Sequence, residues 1–96
     1  TMDEVKNENK DWPAYKKYFM HGTSHFLGLD THDVGLWHEP ISAGMVFTCE
    51  PGIYIPEEGL GIRLEDDLVV QSSGAPFNLM GDIPIEADAI EELMNA

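Results

Sequence analysis

Four histidines, His21, His25, His32 and His38, fall in one stretch that also carries Gly22, Gly28, Gly35 and Gly44. Downstream stand Glu50, at the end of an apolar run, and the consecutive acids Glu65, Asp66 and Asp67 behind Arg63. Clustered imidazoles followed by carboxylates have the donor composition of a transition-metal site. Isolated surface histidines are common too, so the alternative of solvated side chains stays open for some of the four.

Glu50 and Glu65 carry the sharper signal. Residues 45–50 alternate, with Met45, Phe47 and Cys49 on one face and Val46, Thr48 and Glu50 on the other. A carboxylate on an inward strand face must be paired, protonated or bound to a cation. The competing reading is a strand-end residue turning into solvent. In Ile62–Leu68, strand parity puts Glu65 and Asp67 on the face of Arg63, and Asp66 with Leu64 and Leu68. Adjacent acids repel unless a cation sits among them, and Arg63 offsets only one charge. The competing reading is an edge strand that uses charge to block aggregation. Mixed imidazole and carboxylate donors suit Mn, Fe, Co or Zn better than Ca or Mg. A bridging carboxylate can hold two such ions roughly 3.5–4 Å apart, an arrangement that activates water for hydrolysis.

The elements that must position these groups are few. Residues 1–14 are polar and read as a linker or the tail of an upstream element. Residues 15–20 are aromatic-rich and read as a short strand or strand entry. Residues 21–44 show no period and form a long loop, of the kind that is usually functional in a compact protein. Residues 45–55 form a strand bent at Pro51-Gly52. Residues 56–61 turn, residues 62–71 form a second strand, and residues 77–80 a last short one. Residues 84–95 read as a helix with Ile90, Leu93 and Met94 on one stripe, Asp82 as its N-cap and Pro84 early in its first turn. The fold class expected is α+β, mostly antiparallel strands with a C-terminal helix. One short helix leaves a sheet face poorly covered, as in a part of something larger.

The composition excludes several functions. The 96 residues make at most one domain, with a marginal core. They carry 18 Asp+Glu against 5 Lys+Arg, a net charge of −13, and Arg63 is the only cation after Lys17. Ordinary nucleic-acid binding needs the opposite sign, and anionic membranes are disfavoured as well. No apolar run reaches the 18 or so residues of a membrane span. The opening TMDEVKNENK lacks the apolar core of an export signal, and Cys49 is alone. No intramolecular disulfide or multi-cysteine zinc site can form. A cytoplasmic location is therefore expected.

Three blocks stand in order: HGTSHFLGLDTHDVG (21–35), GMVFTCEPGIYI (44–55) and GIRLEDDLVV (61–70). Together they resemble the C-terminal part of the aminopeptidase P and prolidase group, Xaa-Pro peptidases of the pita-bread metallopeptidase family. The resemblance spans about residues 15–95, so residues 15–96 are expected to form the C-terminal segment of a pita-bread catalytic domain. It implies that His25, Glu50 and Glu65 are metal ligands, with Glu50 also the general base and Glu65 bridging two ions. It implies that His21 lines the pocket for a substrate proline and that His32 contacts the scissile peptide. Arg63 would hold carboxylates beside the metals, and Tyr54 would line the cleft.

The family supplies two further aspartate ligands and another histidine from upstream segments, and Asp3 and Asp11 lie in the wrong context to match them. The resemblance thus implies a partial site for two divalent ions, Mn first, with Co or Zn as alternatives. Its substrate would be a proline-containing peptide, cleaved between an N-terminal residue and proline. The partner implied is the missing N-terminal half of the catalytic domain, and self-association into a homo-oligomer through exposed faces is the other association to expect. The isolated chain is expected to be inactive. A non-catalytic peptide-binding module of the same fold and an inactive structural fragment are the competing functions. Aminopeptidase P and prolidase share these three blocks, which do not choose between them.

Overall fold

The fold rests on one long antiparallel hairpin with an interruption in its middle. A computed structural model describes all residues, 1–96. Its strands are β1 (Val46–Cys49), β2 (Gly52–Ile55), β3 (Leu60–Arg63), β4 (Asp66–Val69) and β5 (Phe77–Asn78); the helices are α1 (Met2–Lys6) and α2 (Ala87–Met94). Strands β1, β4 and β5 form one sheet, in that order, and β2 pairs with β3 in a second. Both pairings belong to the same register. Cys49 faces Asp66 on one side of the gap and Gly52 faces Arg63 on the other. Glu50 therefore stands opposite Glu65, and Pro51 opposite Leu64.

The gap has a local cause. Pro51 has no N–H to give to a ladder, so regular pairing cannot pass through it. The Pro51 carbonyl still accepts from Leu64 N–H at 3.0 Å, and this single bond carries the register across the bend. The two strands read in the sequence as 45–55 and 62–71 are thus each broken in two, the first at the expected place. The break in the second is the mirror of Pro51 and needs no proline of its own. At the far end, a 3₁₀ turn (Pro56–Glu58) closes the hairpin, and Gly59 ends it at φ 63°. That left-handed conformation suits a residue without Cβ.

The histidine-rich stretch is irregular, as expected, but its start runs along β1. Glu50 N–H donates to Thr23 carbonyl at 2.7 Å, Thr48 N–H to His25 carbonyl at 3.0 Å, and Leu27 N–H to Val46 carbonyl at 3.2 Å. Phe26 and Phe47 form an isolated antiparallel bridge with their rings 4.6 Å apart, and Trp37 packs edge-on against Phe26 at 4.8 Å.

Two local expectations are corrected. Residues 15–20 are not a strand: Ala14–Lys17 form a 3₁₀ turn behind Pro13, whose φ of −58° directs the chain into it. The order Tyr-Lys-Lys-Tyr has helical rather than alternating spacing. The terminal helix begins at Ala87, with Glu86 in the N-cap position and no side-chain cap. Asp82 lies within the turn in which Ile83 N–H donates to Met80 carbonyl, and is no cap. Residues 1–14 contain the short α1, closed by a capping box between Thr1 and Glu4, and an Asn9–Trp12 bridge.

No hydrophobic residue is buried; Thr48 and Glu50, 2% and 8% exposed, are the only buried residues. A single layer of strands has nothing to press its apolar side against. The radius of gyration, 17.2 Å, exceeds the ~12.5 Å of a compact chain of this length. Burial is greatest at a polar pair, not at an apolar centre.

The hairpin tip offers a clean stability test. A Cβ on Gly59 would meet nothing within 4 Å, so Gly59→Ala costs only the backbone conformation. Urea denaturation should register a loss of about 1 kcal/mol.

Candidate metal centre

Facing carboxylates are unfavourable in an antiparallel pair. Here Glu50 and Glu65 oppose each other at the bend, and His25 reaches in from the segment beside β1. One donor atom from each of the three lies within 4.8 Å of the others. Tetrahedral ligands of one ion, each at about 2.1 Å, stand about 3.4 Å apart. The His25 and Glu50 donors, 3.0 Å apart, are already within that span, and the half-exposed Glu65 has room to close on them.

The hydrogen bonds define which donors the site presents. His25 Nδ1 is 2.8 Å from the Phe26 carbonyl, which can only accept, so this nitrogen carries a hydrogen. Nε2 points at Glu50 Oε1, 3.0 Å away. That oxygen also accepts the Thr48 hydroxyl at 2.7 Å. A bare imidazole nitrogen and a carboxylate oxygen at this distance need a positive charge between them, a second ring proton or a metal ion. The Nδ1–carbonyl bond is the outer support that metal-binding histidines ordinarily have. By donor type and by this orientation, the three residues fit a divalent transition metal.

Arg63 lies beside both acids without closing a hydrogen bond to either. Nη1 is 3.8 Å from Glu50 Oε2 and Nε is 3.9 Å from Glu65 Oε2. The Thr48 hydroxyl holds the Glu50 carboxyl below its ordinary value of 4.5; burial opposes it, and His25, Arg63 and His21 add to the lowering.

Other residues singled out in the sequence gather on the same side. His21 Nδ1 donates to the Gly22 carbonyl at 2.7 Å, and Nε2 accepts from Tyr54 Oη at 2.9 Å. The His21 ring sits over Gly52, where a Cβ would lie 3.1 Å from Nε2. The His32 ring stands edge-on to His25, 4.4 Å between centroids. Its loop folds back because Asp33 N–H donates to the same Phe26 carbonyl, at 3.1 Å, that orients the His25 ring. His38 is not part of the group; it is exposed and pairs with Glu39 at 3.7 Å. Strand parity puts Thr48 on the correct face but assigns it no part. Its sign is the Thr-x-Glu spacing, which sets a hydroxyl beside a carboxylate on one strand face.

The lowered Glu50 value makes stability depend on acid. The ionised form is favoured by folding, so this contribution is complete above pH 4.5 and disappears as pH falls through the lower folded value. In Glu50→Gln, the denaturation midpoint should lose that part of its pH slope below 4.5. Gly52→Val should displace His21 and weaken metal binding, read by calorimetry against the unaltered chain.

The sequence profile of metallopeptidase family M24 matches residues 1–72. The Xaa-Pro aminopeptidase of Escherichia coli (strain K12) is 42% identical over 107 residues, covering 99% of this chain and 23% of its own. Human Xaa-Pro aminopeptidase 3 is 42% identical over 103 residues, covering 96% of this chain and 20% of its own. The solved structure of E. coli aminopeptidase P with the inhibitor Pro-Leu superposes at a TM-score of 0.78 with 41% identity, over 99% of this chain and 23% of that one. Proline aminopeptidase P II from Yersinia pestis gives 0.75 with 42% identity, over 85% and 22%. The chain thus spans less than a quarter of the length of these relatives, and its α+β architecture is that of the pita-bread aminopeptidases P. Profile, identity and backbone agree that this chain belongs to metallopeptidase family M24.

Proposed function

We propose that this chain contributes His25, Glu50 and Glu65 to the dimetal centre of an Xaa-Pro aminopeptidase, an enzyme that removes an N-terminal residue preceding proline. The observation that carries this reading is the convergence of those three donors on one point between a kinked hairpin and a loop. Similarity to Xaa-Pro aminopeptidases, one solved with Pro-Leu, supports the substrate class. Bound divalent ions would supply Lewis acidity and a water of lowered pKa, and manganese is the ion we favour. Glu50 would accept that water's proton, with Thr48 and His25 holding its carboxylate in place. Glu65 would join the two ions. His32, beside His25, would donate to the oxygen that gains charge as the scissile carbonyl is attacked. His21, held by Tyr54, would line the seat of the proline ring, and Arg63 would balance the carboxylates.

Residues 15–96 would form the C-terminal segment of the catalytic domain, working in the cytoplasm. The 96-residue chain alone would be inactive, because three protein donors are too few for two ions. No helix is long and apolar enough to cross a membrane. The absence of any buried apolar residue favours a second reading for the isolated chain, a structural fragment that needs the rest of its domain.

Calorimetric titration with Mn²⁺ tests the central claim. The chain should bind in the micromolar range, and Glu65→Ala should weaken binding at least about tenfold. Equal binding by parent and Glu65→Ala would remove Glu65 from the site. Release of the N-terminal residue from an Xaa-Pro tripeptide by the chain alone would refute its incompleteness.

A further inference from the structure

Thr48 is the least exposed residue of the chain, at 2%. Its hydroxyl also hydrogen-bonds two ligands of the candidate centre at once. Its hydroxyl donates to Glu50 Oε1 at 2.7 Å and accepts from the His25 backbone N–H at 3.0 Å. Its own N–H donates to the His25 carbonyl at 3.0 Å. The backbone of His25 is therefore fastened to Thr48 on both sides, and the same hydroxyl fixes an oxygen of Glu50. These bonds have a definite sense: the hydroxyl hydrogen must point at the carboxylate, because the His25 N–H occupies one of the oxygen lone pairs.

The geometry points to Thr48 as a positioning residue of the metal centre, the link that holds a ligand borne by an irregular loop at a set distance from a ligand borne by a strand. This inference rests on the reading of His25, Glu50 and Glu65 as a metal site. His25 lies in a segment that runs along β1 without forming a regular strand, and its ring is held at Nδ1 by the neighbouring Phe26 carbonyl. Without the Thr48 hydroxyl, the His25 N–H would lose its acceptor and Glu50 Oε1 its neutral donor. Both losses would loosen the ligand pair, although neither removes a ligand. Threonine serves both contacts because its oxygen is donor and acceptor together; valine has the same shape and neither function.

Three chains decide the matter: parent, Thr48→Val and Thr48→Ser, each titrated with Mn²⁺ by calorimetry and followed by amide hydrogen exchange without metal. Thr48→Val should bind about 10–100-fold more weakly, and Thr48→Ser should stay within about threefold of parent. The His25 amide should exchange faster in Thr48→Val and keep its protection in Thr48→Ser. Parent-like affinity in Thr48→Val would overturn the inference, as would equal loss in Ser and Val, since the methyl rather than the hydroxyl would then be responsible. If Thr48→Val fails to fold, the serine chain decides: weakened binding in a folded Thr48→Ser also overturns it. A parent chain that binds no Mn²⁺ would instead bring down the metal-site reading, and the role of Thr48 with it.

Discussion

Two carboxylates face each other where the hairpin bends, and much of the structure answers that repulsion. At about 5 Å, two unit charges repel by roughly 1 kcal/mol in water and about 3 kcal/mol at the effective dielectric of a protein surface. Arg63 stands near both acids but bonds neither closely. Thr48 gives Glu50 one hydrogen bond, and His25 turns its free nitrogen toward the same oxygen. Arg63 brings a positive charge and Thr48 a donor, but the free nitrogen of His25 is itself an acceptor. A cation between that nitrogen and the two carboxylates would satisfy all three.

Burial follows the site and not an apolar core, because the strands form a single layer. The two buried residues are polar and belong to the site, whereas the apolar side chains remain accessible. Local order in this chain comes from hydrogen bonds that cross between the loop, β1 and the bend. Phe26 is central on the loop side. Its carbonyl receives both the His25 ring and the Asp33 amide, so the orientation of one histidine and the approach of His32 share a single acceptor.

Parts of this arrangement are legible in the sequence for definite reasons. Period-two alternation puts Thr48 and Glu50 on one face, and the bend at Pro51 comes from the missing N–H. The resemblance of three blocks points to His25, Glu50 and Glu65, which do converge. The opposition of Glu50 and Glu65 is not legible, because register depends on pairing across the hairpin rather than on either strand alone. The second break, at Leu64–Glu65, has no marker of its own and comes from its partner strand. The turn at Ala14–Lys17 reads as a strand when aromatic content outweighs spacing. Asp82 reads as a cap only because the turn that occupies it is made of backbone bonds, which leave no mark in the side chains.

The unbroken register has a consequence for how this chain can vary. Because both arms of the hairpin keep the same pairing on either side of the bend, the facing of Glu50 and Glu65 is decided by equal counts of residues from the tip inward. Lengthening or shortening the turn at Pro56–Gly59 leaves those counts intact. One residue gained or lost between Gly59 and Glu65 would turn the acid away from its counterpart and reverse the face of everything beyond. Length changes should therefore be harmless at the tip and ruinous a few residues away, which makes the tip the one place on this hairpin where new surface can be grafted without moving the ligands.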